Sequence, residues 1–239
     1  MGGKGGVGKT AVVVAIAEWL DSLAVPFSML DCDTENETKG TLLQFFPDRC
    51  RKIDIRRPTG LDAFIEEAID GDNPVVLADL GAGSGRDTEK WFNEMFDQIV
   101  GLDLEFVAVG AITANPASVE TVFNWARNLR KRVSYLIVRN LKDGEDIAAF
   151  DHCDDGDEFR AVFAPAVVTF EARLLELQNA LENRGATISS VLDSHTPIAE
   201  LTKTATKIRL RGYQNRFFAQ LDSVRGLLVP STQMTLELV

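Results

Sequence analysis

Gly3-Lys4-Gly5-Gly6-Val7-Gly8-Lys9-Thr10 runs without a break into the apolar stretch Ala11-Val12-Val13-Val14-Ala15-Ile16. The spacing is G-x-x-x-x-G-K-[ST] leading into a helical pattern, the context in which this motif folds as a phosphate-binding loop, or P-loop. Such a loop turns its backbone N–H groups inward around an anion. Side chains would block the approach, which explains Gly3, Gly5, Gly6 and Gly8. The helix expected from Thr10 to Leu23 adds the positive end of its dipole to the same point. Lys9 is placed to reach the β- and γ-phosphates of ATP, and the Thr10 hydroxyl to ligate Mg²⁺. Val7 belongs to the nucleotide-binding turn.

Outward from this loop, short apolar runs alternate with helical patterns. Strands are expected at Phe27 to Leu30, Val75 to Ala78, Phe106 to Ile112, Val133 to Val138 and Ala161 to Val168. Helices are expected at Leu61 to Ile69, Thr88 to Val100 and Ala117 to Arg130, with a helical pattern from Phe170 onward. Alternation of this kind predicts a single α/β domain with a mostly parallel sheet and helices on both faces.

Two strand ends carry carboxylates. Met29-Leu30-Asp31-Cys32-Asp33 ends in alternating aspartates, and Val75-Val76-Leu77-Ala78-Asp79 is an apolar run closed by one. A carboxylate at the end of an apolar strand near a P-loop faces the Mg²⁺ and its water shell, so Asp79 is a metal-site candidate. The glycines from Gly81 to Gly85 suit a loop that senses the γ-phosphate. The acidic run Asp151 to Glu158 reads as a solvated loop, because no fixed ligand spacing supports a metal site.

Bulk properties narrow the classes. The chain has 239 residues and a formal net charge of −11, which argues against an obligate nucleic-acid binder. Cys32, Cys50 and Cys153 lie far apart without metal-type spacing, so free thiols are expected. No apolar run of about 18 residues and no secretory leader is present, which predicts a soluble, cytoplasmic protein.

The string Lys4-Gly5-Gly6-Val7-Gly8-Lys9-Thr10 resembles the deviant Walker A motif of the partitioning and division-site ATPases, a family that includes the nitrogenase iron protein and the arsenite-pump ATPase. The resemblance spans roughly residues 2 to 170. It implies a P-loop NTPase that binds ATP and Mg²⁺, forms an ATP-dependent homodimer and hydrolyses ATP slowly with a partner's stimulation. By this likeness Lys4 would reach the nucleotide of the opposite subunit, acting as an arginine finger does. Asp33 would position the attacking water, and Asp31 would support Lys9 or the metal shell. Asn140, at the end of Tyr135 to Asn140, would read the adenine edge, with a structural turn as the competing reading. The family continues its second motif with proline and glutamine where this chain has Thr34-Glu35-Asn36.

In that fold the loop hangs from the C-terminal end of a central strand, and this chain reaches its loop at once. The usual first strand is therefore expected to be absent. The expected consequences are altered sheet packing, a strand donated by a partner chain, or impaired nucleotide binding.

Near the C-terminus, residues 197–228 form an amphipathic region with Lys203, Lys207, Arg209, Arg211 and Arg216 on one side. Leu201, Ile208, Phe217, Leu221, Val224 and Leu228 supply its apolar face. A helix packed on the sheet is the leading expectation, with membrane, DNA or partner contact as the lesser one.

Three functions follow for test. The first is an ATP-driven dimeric switch that positions a plasmid, conjugation or cell-site cargo. The second is a P-loop kinase or ligase acting on a metabolite, against which Lys4 speaks. The third is a non-hydrolysing scaffold. A nitrogenase-type reductase is set aside, since no cysteine lies between Cys50 and Cys153 to hold a cluster.

Overall fold

A computed structural model describes residues 5–33, 40–81, 85–193 and 201–231, apart from the side chains of residues 58 and 85–87. The chain runs α1 (Lys9–Ser22), β1 (Phe27–Cys32), α2 (Leu42–Phe45), β2 (Cys50–Lys52), α3 (Pro58–Asp70), β3 (Val75–Leu80), α4 (Gly85–Ile99), β4 (Val107–Ile112) and α5 (Pro116–Leu129). It continues with β5 (Ser134–Asn140), α6 (Ala148–Asp151), α7 (Asp154–Phe163), β6 (Ala166–Phe170), α8 (Leu175–Arg184), α9 (Ile188–Leu192), α10 (Thr204–Ser223) and α11 (Arg225–Leu228).

Among the described residues all strand pairing is parallel, in two sheets of three with the orders β2-β1-β3 and β4-β5-β6. Parallel strands need crossover connections, and here helices supply them. Side chains alternate across each strand. Phe27, Met29, Val75, Leu136 and Val138 therefore pack toward α1 and Phe217 and Leu221 of α10. Leu30, Cys32 and Val76 face the opposite way, onto Leu61 of α3, Trp91 and Phe92 of α4 and Trp125 of α5. With both faces covered, strands made of valine, leucine and isoleucine are what burial demands.

The sheet is interrupted between β3 and β4. Each is the outermost strand of its own three, and the two face one slot. Helix α1 bridges the two halves, since its residues share a core with Val75 of β3 and with Val107 and Ala111 of β4. Helix α10 reinforces the bridge. Asp222 accepts a 2.8 Å hydrogen bond from Trp19 Nε1 of α1, and Gln220 brackets Thr169 of β6 through both of its backbone polar groups.

The acidic run is not a loop. Asp154, Asp155 and Asp157 occupy the first turn of α7, where negative charge complements the helix dipole. Helix α7 extends to Phe163, so the last strand starts at Ala166 instead of Ala161. Ala164, at φ 44°, stops the helix in the left-handed region. The C-terminal helix does pack on the sheet through Phe217 and Leu221, although Ile208, expected on its apolar face, is 66% exposed. Among the described residues no helix is long and apolar enough to cross a membrane.

Candidate functional site

The glycine-rich loop ends at Gly8, whose φ of 86° places it in the left-handed region, as does the 74° of Gly6. Only glycine holds such angles without strain, and at Gly8 space forbids a side chain as well: a Cβ would run into the Asn140 amide. Gly8 is also the N-cap of α1, and no side chain caps that helix start. That first turn carries no acidic residue, so the positive end of the helix dipole stands at the loop.

Two polar residues at strand ends hold the loop from below. Asn140, 4% exposed at the end of β5, donates from Nδ2 to Val7 O at 2.9 Å and accepts at Oδ1 from Lys142 N at 3.2 Å. Asp79, 2% exposed near the end of β3, accepts a hydrogen bond from the Thr10 side chain. Its second oxygen, Oδ2, is buried without a hydrogen-bond partner. Burial pushes its carboxyl up to about 6 and the Asp31 charge adds to the rise, while the Thr10 bond and Lys9 oppose it.

Asp31 lies beside Asp79 in the β1–β3 register and is fully buried. Its oxygens are engaged by protein donors. Oδ1 accepts from Asp33 N and from Lys52 Nζ, both at 3.1 Å, and Oδ2 from Leu43 N at 3.0 Å. Lys52 also donates to the Asp33 carbonyl. Asp31 thus fixes the chain at Asp33. Asp33 itself is 7% exposed, and its carboxylate lies against Gly81 so closely that a Cβ there would clash.

These contacts gather Gly5, Gly6, Val7, Gly8, Lys9, Thr10, Asp31, Asp33, Asp79 and Asn140 at the C-terminal ends of β1, β3 and β5, the edge where open α/β sheets bind ligands. Gly3, Lys4, the Thr34 to Asn36 segment and most of the Gly81 to Gly85 segment lie outside the described residues. Lys52 was not foreseen as part of the site. It sits on β2, whose three residues carry no periodic signal, and only its contact with Asp31 reveals its role.

As a donor set, the orphaned Asp79 oxygen and the adjacent Thr10 hydroxyl fit a hard divalent cation, which takes few protein oxygens and keeps waters. The described residues hold no group of three or more His, Cys, Asp or Glu side chains that would make an all-protein metal cage. The three cysteines are free, and burial raises the Cys32 and Cys50 thiols, which makes them poor nucleophiles. No protein-family model and no curated protein matches this chain.

Proposed function

We propose that this protein binds ATP with Mg²⁺ at the glycine-rich loop and uses its hydrolysis to drive a dimeric switch. One observation carries the reading: a buried carboxylate, Asp79, hydrogen-bonds Thr10 at the start of an uncapped helix and keeps one oxygen unpartnered. An isolated buried carboxylate oxygen is costly, and a cation beside a bound phosphate would offset that cost.

In this reading the backbone of Gly5 to Gly8 and the α1 N-terminus hold the phosphates, and Lys9 neutralises the β- and γ-phosphate charge. Thr10 and Asp79 would hold Mg²⁺, which neutralises charge on the phosphates. Asp31 fixes Asp33 by accepting from its backbone N–H, and Oδ2, which accepts one hydrogen bond, keeps a lone pair with which it would support the metal shell. Asp33 orients the attacking water. Asn140 keeps the loop seated and retains one amide N–H and one lone pair for the adenine edge. Lys4 completes the site of the opposite subunit, and the cargo is a further macromolecule.

The test is solution mass by light scattering with the hydrolysis-blocked Asp33→Ala variant. A monomer that becomes a dimer only with ATP and Mg²⁺, and no longer does so after Lys4→Ala, supports the switch. A mass indifferent to ATP removes it. Retained dimerisation without nucleotide would favour the scaffold reading, which the divided sheet also supports.

A further inference from the structure

Among the described residues, β2 and β6 end the strand orders at the sides away from the slot. An outer edge presents a row of N–H and C=O groups on which another chain can add a strand, so proteins blunt it. The sequence of β2 blunts its own edge, being three residues long with Arg51 and Lys52 among them. In β6 the sequence does not. Ala166-Val167-Val168-Thr169-Phe170 carries no charge, and three of its five residues are β-branched, the composition that favours strand pairing. Pro165 precedes the strand and removes no donor from within it. Val167 is 41% exposed.

Helix α10 supplies what the strand lacks. Gln220 Oε1 accepts from Thr169 N at 2.6 Å, and Gln220 Nε2 donates to Thr169 O at 2.9 Å. Thr169 therefore turns its backbone groups away from β5, and Val167, two residues back in the same strand, turns the same way. A side-chain carboxamide offers an acceptor and a donor in one plane, as a peptide group does. Gln220 thus makes to Thr169 the two bonds that a residue of an adjoining antiparallel strand would make. One turn earlier on α10, Arg216 holds Glu171 at 2.7 and 2.8 Å. Four helical residues advance about 6 Å and two extended residues about 6.6 Å. The helix therefore keeps step with the chain from Thr169 to Glu171, running antiparallel to it.

We propose that Gln220 guards the β6 edge: its carboxamide occupies the pairing position that β6 of a second copy of this chain would take, and so keeps two copies from joining edge to edge. A second copy is the occupant excluded because the edge is self-complementary. In an antiparallel pair centred on Val168, Val167 of each strand lies opposite Thr169 of the other, and all the outward groups of these residues bond at once across a two-fold axis. The opposed Val167 and Thr169 side chains are both β-branched and suit such a pair. Gln220 takes Thr169 out of that arrangement and leaves Val167 without its counterpart. The inference is independent of the nucleotide reading.

The experiment is sedimentation velocity of the whole 239-residue chain without nucleotide over a range of concentrations, with hydrogen exchange on the same samples. Gln220→Ala removes the guard, and Gln220→Met keeps the length of the side chain without its pairing groups. Both variants should associate at concentrations about ten-fold or more below any at which the wild type does. In dilute samples of either, the Thr169 amide should exchange about ten-fold faster or more, and raising the concentration should slow it again. Gln220→Glu replaces the guard with a charge at the edge and should stay as dispersed as the wild type. Val167→Lys added to Gln220→Ala should reverse the association. Wild-type mass in both Gln220→Ala and Gln220→Met, whatever the exchange at Thr169, would overturn the proposal. So would association that Val167→Lys leaves intact, since the copies would then be joining through another surface.

Discussion

The two halves of the sheet are built alike and differ in what stands at their loop-facing ends. In β2-β1-β3 those ends carry Asp31, Asp33 and Asp79, three carboxylates each less than a tenth exposed. In β4-β5-β6 they carry Ile112, Asn140 and Phe170, all neutral. Against the second half packs a five-ring cluster: Phe123, Tyr135, Phe150, Phe159 and Phe163, with ring centroids 5.0 to 6.4 Å apart. Burying three carboxylates lowers stability unless each is matched, whereas burying five rings raises it. The first half thus carries the buried negative charge. The second carries the five-ring cluster and extends one residue, Asn140, to hold the loop.

This division can be broken most sharply in the aromatic half. Phe159→Ala should cost about 3–5 kcal/mol and lower the melting temperature steeply, because the ring packs on Phe123, Tyr135, Phe150 and Phe163. At temperatures where the variant stays folded, nucleotide affinity should be unchanged; a selective loss of affinity would show that the halves are not separable.

Asp79→Asn is the counterpart in the charged half. The carboxyl of Asp79 is raised in the folded chain to about 6, so its protonated form favours folding. That stabilisation is present below the ordinary carboxylate range and is lost as pH rises through about 6. Above that pH the ionised group opposes folding by up to about 3 kcal/mol. Denaturation of the nucleotide-free protein from pH 4 to 8 should therefore show Asp79→Asn gaining on the wild type as pH rises. Parallel pH profiles would mean that Asp79 is compensated in a way the geometry does not show.

A smaller effect is expected at Lys52, which is one-third exposed. Lys52→Ala removes one of the donors to Asp31 and should cost about 1–2 kcal/mol. Loss of its contact to the Asp33 carbonyl should slow ATP turnover more than it weakens ATP binding, and steady-state kinetics separates the two. At the far end of the scale, Arg216→Ala breaks a pair with Glu171 that lies at the surface. It should leave thermal stability unchanged within error.

How much of this the sequence carried depends on the length of the signal. The loop, α1, the apolar strands and the carboxylates at their ends were all legible, because glycine spacing and apolar runs report directly on backbone geometry and burial. The three residues of β2 were too short to register, and Lys52 went unseen with them. The Asp151 to Glu158 run was misread because charge density suggests solvent as readily as it suggests a helix start. Cys153, whose sulfur caps α7 by accepting from Gly156 N, is an uncommon N-cap and no guide. The role of Asp31 was legible only as a carboxylate near the loop. That its oxygens accept from Asp33, Leu43 and Lys52 is a tertiary fact, since Lys52 is 21 residues away in the chain.

The central claim, that the orphaned Asp79 oxygen and Thr10 form the cation side of a nucleotide site, is tested most directly by calorimetric titration with a non-hydrolysable ATP analogue, with and without Mg²⁺. The account predicts that Mg²⁺ tightens binding by about ten-fold or more in the wild type, that Asp79→Asn abolishes this gain while retaining metal-free binding, and that Lys9→Ala weakens both. An Asp79→Asn protein that responds to Mg²⁺ as the wild type does would contradict it.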